Sequence, residues 1–261
     1  MTAPRAEDVA AFAAAMSASE RVLFITGAGL SADSGLPTYR GIGGLYEREH
    51  TDDGIPIEAA LSGRMLARDP ALCWKYIHEI ERACRGAQPN AAHRVMAALE
   101  RRFDAWVLTQ NVDGLHRAAG STRVIEIHGD VHDLACTRCE HRRRVEDFAG
   151  LEIPPACPVA GCAALVRPEV VLFGEILPAR AVGDLRRELR TGFDLVVSVG
   201  TTSTFPYIAE PVLVARELGR PTIEVNPGAS AVSELVGLRI RAGAAATFAA
   251  LGDALGLGPA M

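Results

Sequence analysis

The 261-residue sequence contains no apolar stretch near the ~20 residues that a bilayer-spanning helix needs. Its first twenty residues carry Arg5, Glu7 and Asp8 early and lack the basic start, apolar run and cleavage site of an export signal, so they read as a surface helix. There is no basic excess either: the net charge is −5, which gives no long-range attraction to nucleic acid or to an anionic membrane. The one basic cluster, Arg142-Arg143-Arg144, is flanked by Glu140, Glu146 and Asp147 and reads as a solvated face. Internal repeats are absent, and six cysteines in a chain of this size do not make a secreted disulfide scaffold. What is present is an ordinary globular balance, 49% hydrophobic and 23% charged, enough for one large domain with a small insertion. The expectation is a cytoplasmic protein that binds neither nucleic acid nor membrane.

Short apolar runs at 21–26, 105–109, 123–127, 169–172, 195–199 and 222–225 read as strands, and sequence compatible with helix recurs between them, notably at 57–67, 70–85 and 90–101. Such alternation predicts an α/β fold, a Rossmann-like parallel sheet with helices on both faces. The large part is expected at about 1–35, 105–130 and 168–261; a helical insertion at 36–104 and a cysteine module at 131–167 make the small part. Residues 36–56, broken by Pro37, Gly41, Gly43, Gly44, Gly54 and Pro56, read as a mobile loop over a site. Ligands of parallel sheets bind outside the carboxyl ends of the strands. The turns expected there are Gly27-Ala28-Gly29, Gln110 to Asp113, His128-Gly129-Asp130, Gly200-Thr201-Thr202 and Asn226-Pro227-Gly228, which should converge on one cleft.

A tight glycine turn between strand and helix brings backbone N–H groups to a pyrophosphate, which suits Gly27 and Gly29. The dinucleotide fingerprint is incomplete, however, because Ala32 stands where the third glycine would be. Glu47 has nearly the spacing of a ribose-binding acid but follows a glycine-rich loop, not a strand, which argues against an ordinary hydride-transferring dehydrogenase. Cys136-x-x-Cys139 and Cys157-x₄-Cys162 supply four thiolates in two tight pairs, the donor set of a closed, structural zinc site. Cys73 and Cys84, in a helical stretch, read as small core residues.

Taken in order, these segments resemble the sirtuin family over nearly the whole chain. Residues 27–41, from Gly27-Ala28-Gly29 through Ser31, Asp33, Thr38, Tyr39 and Arg40, look like its first cofactor motif, and Gln110-Asn111-Val112-Asp113 like its second. His128-Gly129 looks like its catalytic histidine, residues 136–162 like its zinc ribbon, and Phe173-Gly174-Glu175 like its substrate strand. Gly200, Thr201, Thr202, Asn226, Pro227 and Gly228 fall at its later cofactor contacts. The resemblance implies an NAD⁺-consuming protein-lysine deacylase with one structural zinc. The acyl-lysine oxygen attacks the ribose as nicotinamide leaves, and the acyl group then passes to the ribose. It implies His128 as base toward a ribose hydroxyl, with Asn111 and Asp113 holding ribose and nicotinamide. Acylated-lysine peptide is expected to lie as an added strand along 170–174, with Val171 giving backbone contacts and Phe173 walling the lysine tunnel.

Thr38 departs from the Asp of many deacetylases and points to the branch that includes removers of acidic acyl groups. That branch pairs Tyr-x-x-Arg on a helix with the acyl carboxylate. The nearest match here is Tyr76-Ile77-His78-Glu79, whose Glu79 would repel succinyl, so neutral acyl chains are expected. A desuccinylase, and an ADP-ribosyl transferase or NAD⁺ glycohydrolase on the same scaffold, are the alternatives. A non-enzymatic NAD⁺-sensing module is weighed against by the intact His128.

Overall fold

The computed structural model describes residues 3–37 and 50–258. Thr38, Tyr39, Arg40, Glu47 and most of the expected loop over 36–56 lie outside the described residues.

The chain opens with helix α1 (Ala6–Ser17), strand β1 (Arg21–Thr26) and the single-turn helix α2 (Ala28–Ser31). Four helices follow: α3 (Ile57–Ala60), α4 (Gly63–Arg68), α5 (Pro70–Cys84) and α6 (Ala91–Leu99). Asp69 caps α5 by accepting from Leu72 N–H, with Pro70 at its first position. Asn90 caps α6. Then come β2 (Asp104–Thr109), α7 (Leu115–Ala118), β3 (Val124–Glu126), β4 (Gly129–Cys136), β5 (Arg142–Arg144) and β6 (Val166–Val170). The chain continues through α8 (Ala179–Thr191), β7 (Leu195–Val199), α9 (Pro206–Glu217), β8 (Thr222–Val225), β9 (Leu238–Ile240) and α10 (Ala244–Ala254).

Six strands form a parallel sheet in the order β3-β2-β1-β7-β8-β9. Successive side chains of a strand face opposite ways. Val22 and Phe24 therefore enter a core with Phe12, Met96, Leu99 and Phe248, under α1, α6 and α10. Leu23 and Ile25 enter the opposite core with Leu185, Ile208 and Val212, under α8 and α9. The sheet buries both faces, which is why its strands read as unbroken apolar runs.

A three-stranded antiparallel sheet, β5-β4-β6, packs with α3 to α5 around Trp74, Ile77, Leu134, Phe148 and Val166. Trp74 and Phe148 hold their ring centroids 5.4 Å apart. Two expectations change here. The strand read at 169–172 is β6, antiparallel to β4 in the small sheet and not part of the parallel one. Helix α6, assigned by sequence to the small part, packs into the large core through Ala92, Val95, Met96 and Leu99. Among the described residues no helix is long and apolar enough to cross a membrane.

Candidate active site

After β3 the chain returns across the sheet to place β7 beside β1, so the strand order reverses between these two strands. A crevice forms at such a switch point, and the glycine turns meet there. Gly29 N–H donates to the Gly200 carbonyl at 2.8 Å, and a Cβ on Gly29 would lie 2.8 Å from that oxygen. Gly200, at φ +58°, would place a Cβ 2.3 Å from Leu30 N. Backbone against backbone leaves no room for side chains, so these glycines draw the β1 and β7 turns together. Ala28 opens α2 directly above the contact.

Polar side chains from four strand ends interlock around this point. Gln110 Nε2 donates to Thr201 Oγ1 at 2.7 Å. Asn111 Nδ2 reaches both the Gly27 carbonyl and Ser31 Oγ, each at 3.1 Å, and Ser31 in turn donates to Asp113 Oδ2 at 2.7 Å. Asp113 Oδ1 also accepts from Leu115 N–H. Burial raises the Asp113 pKa above the ordinary carboxylate value, against the opposing bonds from Leu115 and Ser31. Asn226 Nδ2 donates to the Thr201 carbonyl, and its Oδ1 accepts from Gly228 N–H across Pro227. The Thr202 carbonyl accepts from Ala231 N–H. Asp33 turns elsewhere: its Oδ2 accepts from Ala245 N–H and ties the cofactor turn to the start of α10.

His128 follows β3 at the same edge. Its neighbour Gly129, at φ +79°, would put a Cβ 1.7 Å from the Glu169 carbonyl, so only glycine allows the turn into β4. Nδ1 lies 3.1 Å from the Gln110 carbonyl, an acceptor only, which assigns the Nδ1–H tautomer. Nε2 lies 2.7 Å from the Tyr207 hydroxyl. Burial lowers the His128 pKa, partly offset by the Gln110 bond, so the ring is held neutral. Tyr207 and Phe205, stacked at 5.5 Å, complete the wall around the ring. Neither carries a sequence signal beyond following a glycine-threonine turn.

The expected substrate strand is partly engaged by the chain itself. Val171 N–H donates to the His128 carbonyl, Phe173 N–H to the Leu61 carbonyl, and the Phe173 carbonyl accepts from Gly63 N–H. Val171 therefore spends its N–H on His128. Glu175 binds Arg167 at 2.5 and 2.9 Å and accepts from Leu172 N–H, clamping the turn. Tyr76, expected at the acyl pocket, is only 2% exposed and its hydroxyl donates to Asp53. Tyr76 packs in the small core with Trp74 and Ile77.

The four expected metal ligands come together at the end of the small sheet. Cys136 ends β4, and the sulfurs of Cys136, Cys139, Cys157 and Cys162 all lie within 4.8 Å of one another, with Cys136–Cys162 and Cys139–Cys157 at 3.6 Å. A tetrahedron with Zn–S bonds of about 2.3 Å has S···S edges of ~3.8 Å. The thiols therefore fit one zinc, and four protein donors leave no coordination position for chemistry.

A glycine-paired switch point, a half-buried neutral imidazole and a four-thiolate ribbon define an α/β enzyme of the nucleotide-using kind with a structural metal module. Comparison narrows this. The sequence matches the Sir2 family over residues 27–205. A Pseudomonas aeruginosa protein named NAD-dependent protein deacylase 2 is 54% identical over 236 residues, 89% of this chain and 91% of the relative. An Aquifex aeolicus protein named NAD-dependent protein deacylase is 36% identical over 224 residues, 84% of this chain and 89% of the relative. A solved Sir2 homologue–NAD complex has TM-score 0.83 at 32% identity, covering 95% of each chain. A Sir2 complex with a deacetylated peptide and 3′-O-acetyl ADP-ribose has TM-score 0.83 at 28% identity, covering 94% of this chain and 98% of that one. The chain belongs to the Sir2 family.

Proposed function

We propose that this chain is an NAD⁺-dependent protein-lysine deacylase in which His128 is the general base, and that it favours neutral acyl groups over succinyl. The observation that carries the reading is the neutral His128 ring, fixed by the Gln110 carbonyl beside the glycine-paired switch point and bonded through its own carbonyl to the strand expected to hold substrate. NAD⁺ supplies an electrophilic ribose carbon and the ribose hydroxyl that finally carries the acyl group. With Nδ1 committed to Gln110, Nε2 is the nitrogen left to take a proton. Asp113, a half-buried carboxylate that accepts from Ser31 and Leu115 and bonds no cation among the described residues, suits a ligand on which positive charge sits or develops. Asn111, Gln110, Ser31 and Thr201 are already cross-linked, so they meet the ribose as a preorganised set. Gly27, Ala28, Gly29, Gly200, Thr202, Asn226, Pro227 and Gly228 would take the remainder of the cofactor, with Thr38, Tyr39 and Arg40 covering it.

The acyl preference rests on the charges of α5. Its Lys75 is paired with Asp53, and Arg85 just past its end with Glu81, while Glu79 lies near Lys75 and Arg82 as well as Asp52 and Asp53. Arg82, the guanidinium of α5, lies three positions from Glu79 and acts on that carboxylate, so the Tyr76–Glu79 position itself presents a negative charge to an acyl carboxylate. We take the whole chain as one catalytic domain with its ribbon inserted, acting on acylated-lysine proteins in the cytoplasm, where thiols stay reduced for zinc. The test is incubation of the purified protein with NAD⁺ and acetyl-, succinyl- and long-acyl-lysine peptides, following peptide mass and nicotinamide. Nicotinamide release without loss of acyl mass would favour glycohydrolase or ADP-ribosyl transfer and refute the reading.

A further inference from the structure

Both nitrogens of the His128 ring are engaged. The Gln110 carbonyl can only accept, so it keeps one proton on Nδ1 in every state of the ring. The partner of Nε2 is the Tyr207 hydroxyl at 2.7 Å, on the first turn of α9. A phenol differs from a carbonyl in that it can donate or accept as its proton rotates. We propose that Tyr207 is a positioning residue for His128: its hydroxyl donates to Nε2 of the neutral ring, and accepts from Nε2–H of the imidazolium that forms when the ring takes a substrate proton. This rests on His128 being the base of the deacylation described above.

In that step the ribose hydroxyl displaces the phenol proton from the single Nε2 lone pair, its O–H bond breaks as the ribose oxygen bonds the acyl-bearing carbon, an Nε2–H bond forms, and the charge left on the ring needs an acceptor in a half-buried site, which the rotated phenol oxygen supplies. Among the described residues no charged side chain bonds the ring. Gln110, Phe205 and Tyr207 pack against it, Glu126 is drawn to Arg117, and Asp130 to His132 and Arg144. Tyr207 is thus the side chain placed to stabilise the imidazolium, and hydrogen bonds to a charged group are the stronger kind. The stack on Phe205, with planes 12° apart, fixes the phenol independently of the hydrogen bond. Removing the hydroxyl should therefore leave the ring in place and make His128 a weaker base.

Tyr207→Phe is the test, on a peptide that the wild-type protein deacylates. Zinc content and thermal midpoint should be unchanged. Loss of one hydrogen bond to a charged group should lower kcat about tenfold or more, with KM for NAD⁺ and peptide within about threefold. The acidic limb of the kcat profile should move to lower pH, because the imidazolium loses its acceptor. Exchange of labelled nicotinamide into NAD⁺ needs no ribose proton and should keep its wild-type rate. Unchanged kcat, an unmoved or upward-moving limb, or exchange falling in step with deacylation would overturn the proposal. Nitrogen NMR of the intact wild-type protein gives an independent check: an Nε2–H tautomer of neutral His128 would refute the assignment even if the variant failed to fold. If the wild type deacylates nothing with NAD⁺, the functional reading fails together with it, whereas an active wild type with an unaffected variant overturns only the role of Tyr207.

Discussion

Lowering the pH from 7 to 5 should cost this protein about 2 kcal/mol of folding stability through His93 alone. His93 is fully buried in α6, where its Nδ1 accepts from Asn90 N–H, and its ring lies edge-on to that of the equally buried His116, centroids 4.8 Å apart. Among the described residues neither His93 Nε2 nor His116 Nδ1 has a partner, so protonation would place a charge where nothing can answer it. Burial lowers the His93 pKa to about 4, with the Arg94 charge adding to it, and takes that of His116 well below its ordinary value, with His93 adding to it. A depressed histidine pKa means that the unfolded chain binds the proton first. Stability is complete above about pH 6.5 and falls as the pH drops toward the folded value of about 4, for a total near 3 kcal/mol from His93. The assay is denaturant unfolding of the wild type and of His93→Gln at pH 7, 6 and 5. Zinc release at low pH adds a loss common to both proteins, so the difference between their slopes isolates the histidine. Equal slopes, or a steeper slope in the variant, would refute the reasoning.

Metal analysis should find about one zinc per chain, and its removal by chelation should unfold at least the ribbon, since structural zinc contributes about 10–16 kcal/mol of folding free energy in isolated zinc fingers. Protein with no zinc and four freely titrating thiols would contradict this. On one peptide sequence, acetyl-lysine should be turned over with kcat/KM about tenfold or more above succinyl-lysine, because a carboxylate meeting Glu79 on α5 meets a like charge. Equal or better succinyl turnover would show that another cation serves the pocket.

The chemistry was more legible in the sequence than the packing. The turns at Gly27, Gln110, Gly200 and Asn226 each follow a largely buried apolar run, His128 follows the shorter β3, and a parallel sheet carries all such turns to one edge. The four cysteines were legible from spacing alone. Strand β4 was missed because its alternation is broken by the register shift between Asp130 and Leu134. Strand β9 has only three residues, too short for any period. Strand β6 looks like a sheet strand in sequence, and only its pairing with β4 assigns it to the small sheet. Tyr207 had no signal at all, since a tyrosine one residue into a helix is marked as functional only by the imidazole it meets.

The most direct test of the account is His128→Ala, compared with the wild type for zinc content, NAD⁺ binding and loss of acyl mass from an acetyl-lysine peptide. Among the described residues the side chain hydrogen-bonds Gln110 and Tyr207, and it lies outside the three hydrophobic cores, so the variant should fold, keep its zinc and bind NAD⁺. Its deacylation should fall by about 10²-fold or more, the range expected for a lost general base. Acyl removal by the variant at near wild-type rate, with NAD⁺ bound equally well, would contradict the assignment of the base and with it the mechanism.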